Sequence, residues 1–156
     1  MSEQSQTESS EIEQTKISPA EAIGHMVGLC AFSGNYLNWS ISDIGRLFIP
    51  PVLAGQCKLY FESGRCVAFA TWAYLSEEWS QRVQNNYDDP DPDQWTSGDC
   101  LWIMDMVAPG RGVSTTRDLQ KNVFRHRTEP GYALRRDETG AVRKIAKWAV
   151  WNSCPR

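Results

Sequence analysis

Histidine is scarce in this chain: 156 residues contain only His25 and His126. That scarcity argues against a histidine-based metal centre, which draws on several imidazoles. Cysteine is short of pattern rather than of number. Cys30, Cys57, Cys66, Cys100 and Cys154 are odd in count and show no CxxC spacing. Neither a disulfide framework nor a zinc site is expected, and the thiols read as reduced members of an apolar core. Long apolar runs are also missing, since none approaches the roughly 18 residues that a membrane-crossing helix needs. The opening "MSEQSQTESSEIEQTK" lacks the basic start and apolar centre of a signal peptide. A cytoplasmic protein is therefore expected, with a disordered polar leader over 1–16 and a single domain over 17–156.

What is present is a large apolar payload. Hydrophobic residues make up 41% of the chain, including seven tryptophans, enough for one sizeable core. Net charge is only −3, yet the charges are sorted along the sequence. Glu77, Glu78, Asp88, Asp89, Asp91, Asp93 and Asp99 face Arg82 alone. From Arg111 to Lys147 the balance reverses: Arg111, Arg117, Lys121, Arg125, Arg127, Arg135, Arg136, Arg143, Lys144 and Lys147 stand against Asp118, Glu129, Asp137 and Glu138. Such a basic segment is either a solvated face or a docking surface for an acidic partner.

Local signals place the elements. "SPAEAIGHMVGLC" opens a helix with Ser18 as N-cap, Pro19 in the first turn and Glu21 completing a capping box. Ser42 is expected to cap a second short helix through "DIGRLF", ended by Pro50 and Pro51. "CKLYFES" and "CVAFATW" flank Ser63, Gly64 and Arg65 and predict a β-hairpin. "SEEWSQRVQ" predicts a third helix with acids at its positive end. A strand through Asp105 follows, then "APGRGVS", then a helix capped by Thr115 and Asp118 that runs to Arg125. "YALRR" and "AVRKIAKWAVW" pair across "DETG". The order is that of a mixed α/β (α+β) protein, a central sheet flanked by helices.

Asp105 is the residue that stands out. Read with period two, Cys100, Trp102, Met104 and Met106 share one face of its strand, and Leu101, Ile103, Asp105 and Val107 the other. Both faces are apolar, as in a central strand covered on both sides. A buried carboxylate costs several kcal/mol, roughly, unless a cation or hydrogen-bond donors meet it. Asp105 is therefore either a cap for the following loop or a charge held in place for chemistry. Beyond it, Gly110, Arg111 and Gly112 link a strand to a helix, an arrangement that aims backbone N–H groups at one spot and suits an anion. A plain turn fits the same residues.

Longer strings carry a specific resemblance. "WTSGDCLWIMDMVAP" resembles the "WTSGDRxWxxDWIAP" signature of the RTX toxin-activating lysine acyltransferases. "VAFATWAYLS" is similar to their "VAYCSWANLS", and "GHMVGLCAFSGNYLNW" to their "GHVxWLWxxSPLHRxW". The blocks keep the family's spacing from Gly24 to Pro109, and "YALRRDETGAVRKIAKW" resembles its final strands. The resemblance implies a Gcn5-related N-acetyltransferase-like fold, a fatty acyl donor carried on acyl carrier protein, and an acceptor lysine on a protoxin-like partner. It also implies catalysis by a histidine and an aspartate. The aspartate falls on Asp105, whereas the position of the histidine is occupied by Tyr36.

That replacement changes the proton chemistry. A lysine amine, with a reference pKa of roughly 10.4, attacks a thioester only after losing a proton. Histidine, at roughly 6.5, suits that task, and a neutral tyrosine, at roughly 10, suits instead an acid toward the departing thiolate. Phe69 likewise stands where relatives carry tyrosine. His25 matches a histidine of the family's first helix and reads as structural, and His126 sits among arginines at a helix end. Ser33 matches a family serine near the catalytic histidine, and reads either as a helix C-cap or as a group on the thioester oxygen.

The expected site thus comprises Asp105 and Tyr36 as catalytic residues. Ser33, Trp72, Trp102, Gly110, Arg111, Gly112, Arg117 and Lys121 are expected to bind substrate, the tryptophans as core or as walls of an acyl channel. No bound cofactor or metal is expected beyond acyl-acyl carrier protein as donor. The expected partners are acyl carrier protein and a lysine-bearing target, with a homodimer compatible and nucleic acid disfavoured. A catalytically inactive homologue that still binds carrier or target protein is the rival expectation.

Overall fold

The computed structural model describes residues 17–151. The polar leader expected over residues 1–16 lies outside them. Helix α1 (Pro19–Cys30) starts as its sequence dictates: Ser18 Oγ accepts from Glu21 N–H, and the Glu21 carboxylate accepts from Ser18 N–H at 3.0 Å. A 3₁₀ turn (Gly34–Tyr36) leads to α2 (Ile41–Leu47). The N-cap of α2 is Ser40 and not Ser42. Ser40 and Asp43 form the reciprocal box, with Ser40 N–H donating to Asp43 at 2.7 Å, whereas Ser42 has Gly45 three residues on and no such partner. Pro50 and Pro51 do not end this helix either. They occupy the first turn of α3 (Ile49–Leu53), where a missing N–H costs nothing.

Strands β1 (Cys57–Glu62) and β2 (Arg65–Leu75) form the expected hairpin. Ser63 and Gly64 both take positive φ, 50° and 77°, the turn that matches strand twist. Helix α4 (Glu77–Asn86) follows, capped by Ser76, and then β3 (Cys100–Val107). Helix α5 (Gly112–Asp118) runs into a π-helical turn (Leu119–Val123). Thr115 is buried within α5 and Asp118 ends it, so neither caps its start. Asp118 instead accepts from Lys58 Nζ and Tyr60 O–H, each at 2.6 Å, tying α5 to the edge strand β1. Strands β4 (Gly131–Arg136) and β5 (Val142–Trp148) complete the sheet.

The five strands lie in the order β1-β2-β3-β4-β5, antiparallel except for β3 and β4. One face packs against α1 to α4, through Met26, Phe48, Phe69, Trp79, Trp102 and Leu134. The other packs against α5 and the π turn, through Trp72, Leu101, Leu119, Phe124 and Trp148. This is the mixed sheet flanked by helices that the sequence implied, consistent with a Gcn5-related N-acetyltransferase-like fold. Among the described residues, no helix is long and apolar enough to cross a membrane.

Two features position the site. Strict alternation fails in β3: Thr71 faces Asp105 and Trp72 faces Ile103, so Met104 is an extra, bulged residue. The bulge turns Asp105 onto the face of Trp102, Met104 and Val107, and sends Met106 to the opposite face with Leu101 and Ile103. The second feature is the parallel pair. β3 and β4 are in register only at Trp102–Tyr132 and Ile103–Ala133, after which they share no ladder pairs.

Candidate active site

A cleft of about 510 Å³ opens where β3 and β4 separate, along their carboxyl-terminal halves. Open α/β sheets place their ligand crevices there. Asp105 and Tyr36 line it, with Ser33 and Asn35 on the α1 side and Arg135, Arg136 and Arg143 on the β4–β5 side.

Tyr36 and Asp105 are 69 positions apart in sequence, and the Tyr36 hydroxyl donates to Asp105 Oδ1 at 2.8 Å. The bulge at Met104 makes this contact; strict alternation would have turned the carboxylate to the other face. The compensating cation is Arg136. Its Nε donates to Asp105 Oδ1 at 2.7 Å and its Nη2 to Oδ2 at 3.3 Å, a two-pronged pair whose side chains are 6% and 0% exposed. Breaking such a pair by removing one partner costs about 3–5 kcal/mol.

Arg136 is itself held. Its Nη1 donates to Gly140 C=O at 3.1 Å, and its guanidinium lies 4.8 Å from the centre of the Trp39 ring. Trp39 meets Tyr36 edge-on with ring centroids 4.8 Å apart. Gly140, in the β4–β5 turn, has φ +85°, and a Cβ there would lie 2.7 Å from the Trp39 ring. The turn thus clamps the Gly34–Tyr36 segment onto the sheet.

Electrostatics follow from this enclosure. Burial first, then the charge and hydrogen bond of Asp105, push the Tyr36 phenol well above its ordinary value of 10.0, so it is a neutral donor. Burial alone would weaken the Arg136 charge, but the Asp105 carboxylate outweighs it and raises its pKa. Burial and Asp105 also push the Cys30 thiol up to about 12, which removes it as a nucleophile near neutrality. No histidine lines the cleft. His25 sits edge-on to Phe61 with centroids 5.2 Å apart, and His126 is exposed beyond the π turn.

The other expected site residues are dispersed. Ser33 lines the cleft and is not the C-cap of α1, a position that Ala31 takes. Trp72 is core against Phe124, and Trp102 is core stacked on Tyr132, its Nε1 donating to Ser80 Oγ at 3.0 Å. Neither lines the cleft. Gly110 to Gly112 lie just past Pro109, the last of the cleft's lining residues on that loop. Arg111 there is ion-paired with Glu62. Arg117 and Lys121 are exposed, and Lys121 Nζ stands 4.5 Å from the centre of the Trp151 ring. Among the described residues no cluster of three or more His, Cys, Asp or Glu could hold a metal ion.

Arg136 is the residue that sequence reasoning missed, hidden among ten basic residues between Arg111 and Lys147. A signal was present: it follows the buried Leu134 by two on a strand, so its side chain shares that inward face. The signature block has an equally plain cause. Trp95 is buried, and Gly98 N–H donates to Tyr74 C=O at 3.0 Å, so close that a Cβ on Gly98 would lie 2.5 Å from the Leu75 carbonyl. The glycine lets the strand before Asp105 dock against the end of β2.

Residues 15–149 match the model of the RTX toxin acyltransferase family, HlyC. A protein-lysine myristoyltransferase of Escherichia coli is 34% identical over 91 residues, 58% of this chain and 52% of the relative. A leukotoxin-activating lysine-acyltransferase of Aggregatibacter actinomycetemcomitans is 34% identical over 89 residues, 57% and 53% of the two chains. An RTX-I toxin-activating lysine-acyltransferase of Actinobacillus pleuropneumoniae is 28% identical over 138 residues, 85% and 76%. The chain thus spans about half the length of the first two relatives and about three quarters of the third. With the family match running through both site elements, from the helix before Tyr36 to the strand that ends at Arg136, the chain belongs to the RTX toxin acyltransferase family.

Proposed function

We propose that the chain is a protein-lysine acyltransferase that moves a fatty acyl group from acyl carrier protein to an internal lysine of a protoxin-like partner, in the cytoplasm. The observation that carries this reading is the Tyr36–Asp105 hydrogen bond at the floor of the cleft between diverging parallel strands. The donor's extended thioester arm lies in the gap between β3 and β4. The neutral lysine amine attacks the thioester carbonyl; the C–N bond forms, the C–S bond breaks and the thiolate departs with a proton from water. The attacking nitrogen sheds its extra proton through the Tyr36 hydroxyl, which accepts it while passing its own to Asp105. The incoming lysine ammonium loses its first proton to solvent before attack, so the rate rises from pH 7 to 9 as more lysine becomes neutral.

The test is incubation with acyl-acyl carrier protein and a lysine-bearing partner, with acyl-lysine read by mass spectrometry. Tyr36→Phe should lower the rate by about 10² or more, and Asp105→Asn should lower it while the fold is retained. Unchanged transfer in a folded Asp105→Asn variant would refute the mechanism. The rival reading is an inactive homologue that binds carrier or target protein. In that case the parent transfers nothing, and Tyr36→His gains activity by supplying a base beside Asp105.

A further inference from the structure

A second cavity, of about 280 Å³, lies on the other side of Tyr36. Val27, Cys30 and Ala31 at the end of α1 form one wall, and Ile44 in the middle of α2 with Phe48 just after it the other. Leu37 and Trp39 complete it, and no charged side chain lines it. Tyr36 is the one residue that lines both this groove and the Asp105 cleft. At its lip, Leu37 is 64% exposed, and the adjoining chain bares Phe32 at 94% and Ile41 at 88%. Large apolar side chains grouped in this way mark a binding surface.

We propose that this groove seats the hydrocarbon chain of the acyl donor, an inference that rests on the acyltransferase reading above. A lining without charge offers nothing to a polar or ionised ligand, whereas an unbranched alkyl chain needs only apolar walls. Proximity supplies the second reason, since Tyr36 alone stands between the two cavities. A thioester carbonyl placed beside the Tyr36 hydroxyl in the cleft has its alkyl chain one aromatic ring away from the groove. Cys30 serves as an apolar wall there, its thiol held protonated by burial. Groove length then sets which chain lengths are preferred, and Ala31, exposed at the end of α1, stands at the groove's lip.

Titration of the full chain with cis-parinaric acid, followed by fluorescence, reads occupancy directly, with octanoate, dodecanoate and tetradecanoate as competitors. One site is expected, with competition strengthening by about fourfold per methylene until the groove is full. Ala31→Trp, which fills the lip, should weaken parinaric acid by at least about tenfold. Leu53→Trp, exposed and outside the groove, should bind as the parent does. Leu37→Asp tests the same wall if Ala31→Trp does not melt as a folded protein. Parent-like binding in these folded groove variants, or competition independent of chain length, overturns the proposal. So does a parent that ignores fatty acid yet loses a dimer in Ala31→Trp on sedimentation, since a second copy would then fill the groove. Binding that follows these rules without any transfer leaves the groove standing and removes the acyltransferase reading. Transfer whose chain-length preference is unmoved by Ala31→Trp does the reverse.

Discussion

Asp105 shows how one charge acquires its meaning from neighbours distant in sequence. Its carboxylate is fully enclosed, accepting from Tyr36 on one side and from two guanidinium nitrogens of Arg136 on the other. Removing the cation alone leaves a buried charge without compensation, so Arg136→Met should cost about 3–5 kcal/mol in urea unfolding. Replacing both partners by apolar residues, Arg136→Met with Asp105→Leu, should recover most of that loss, because neither charge then needs a partner. A single variant as stable as the parent would show that water reaches Asp105. Tyr36 takes its character from the same neighbours. Held neutral by burial and by the carboxylate it faces, it can donate or relay a proton but cannot store one near neutral pH.

Among the elements, the β4–β5 hairpin matters most to the site. Its turn brings Gly140 C=O to Arg136 and presses against the ring of Trp39, which in turn backs Tyr36. Gly140→Ala meets two obstacles, a left-handed φ worth about 1–2 kcal/mol and a methyl group driven into an aromatic ring. We expect a loss of about 2 kcal/mol or more in thermal or urea unfolding, with transfer falling alongside. Gly64, whose Cβ would meet nothing within 4 Å, provides the comparison: Gly64→Ala bears only the backbone strain and should leave transfer intact. Equal effects of the two substitutions would separate the hairpin turn from the site. The bulge at Met104 is the second element-scale device, since it sets which face of β3 carries the carboxylate.

Across the whole molecule, the segregated charges of the sequence are partly consumed by folding. Arg46 takes Asp89, Arg82 takes Asp88, Lys58 takes Asp118 and Arg111 takes Glu62. Exposed cations remain at Arg117 and Lys121 on the α5 side, and at Arg135 and Arg143 on the rim of the cleft. If this surface receives an acidic carrier protein, Arg117→Glu with Lys121→Glu should weaken binding measured by calorimetry. The parent affinity should also fall as salt is raised. Affinity indifferent to salt would place the carrier elsewhere, and tight binding to duplex DNA would reverse the choice of partner.

The sequence by itself determined what depends on near neighbours. Ser18 with Glu21 starts α1 and Ser63 with Gly64 makes the hairpin turn, because each is satisfied within a few residues, whereas the caps expected at Ser42, Thr115 and Asp118 fell elsewhere. Its longer strings also carried the family, and with it Tyr36 and Asp105 as one site. Tertiary structure decided the rest. Strict period two turned Asp105 to the wrong face, since a bulge belongs to the pairing of two strands and not to either one. Arg136 could not be picked out of a basic run, because its distinction is a partner 31 positions away. Trp72 and Trp102 read as core or as channel walls until the sheet placed both in the core, one on each face. Pairing, register and burial are relations between segments, and only the folded chain brings those segments together.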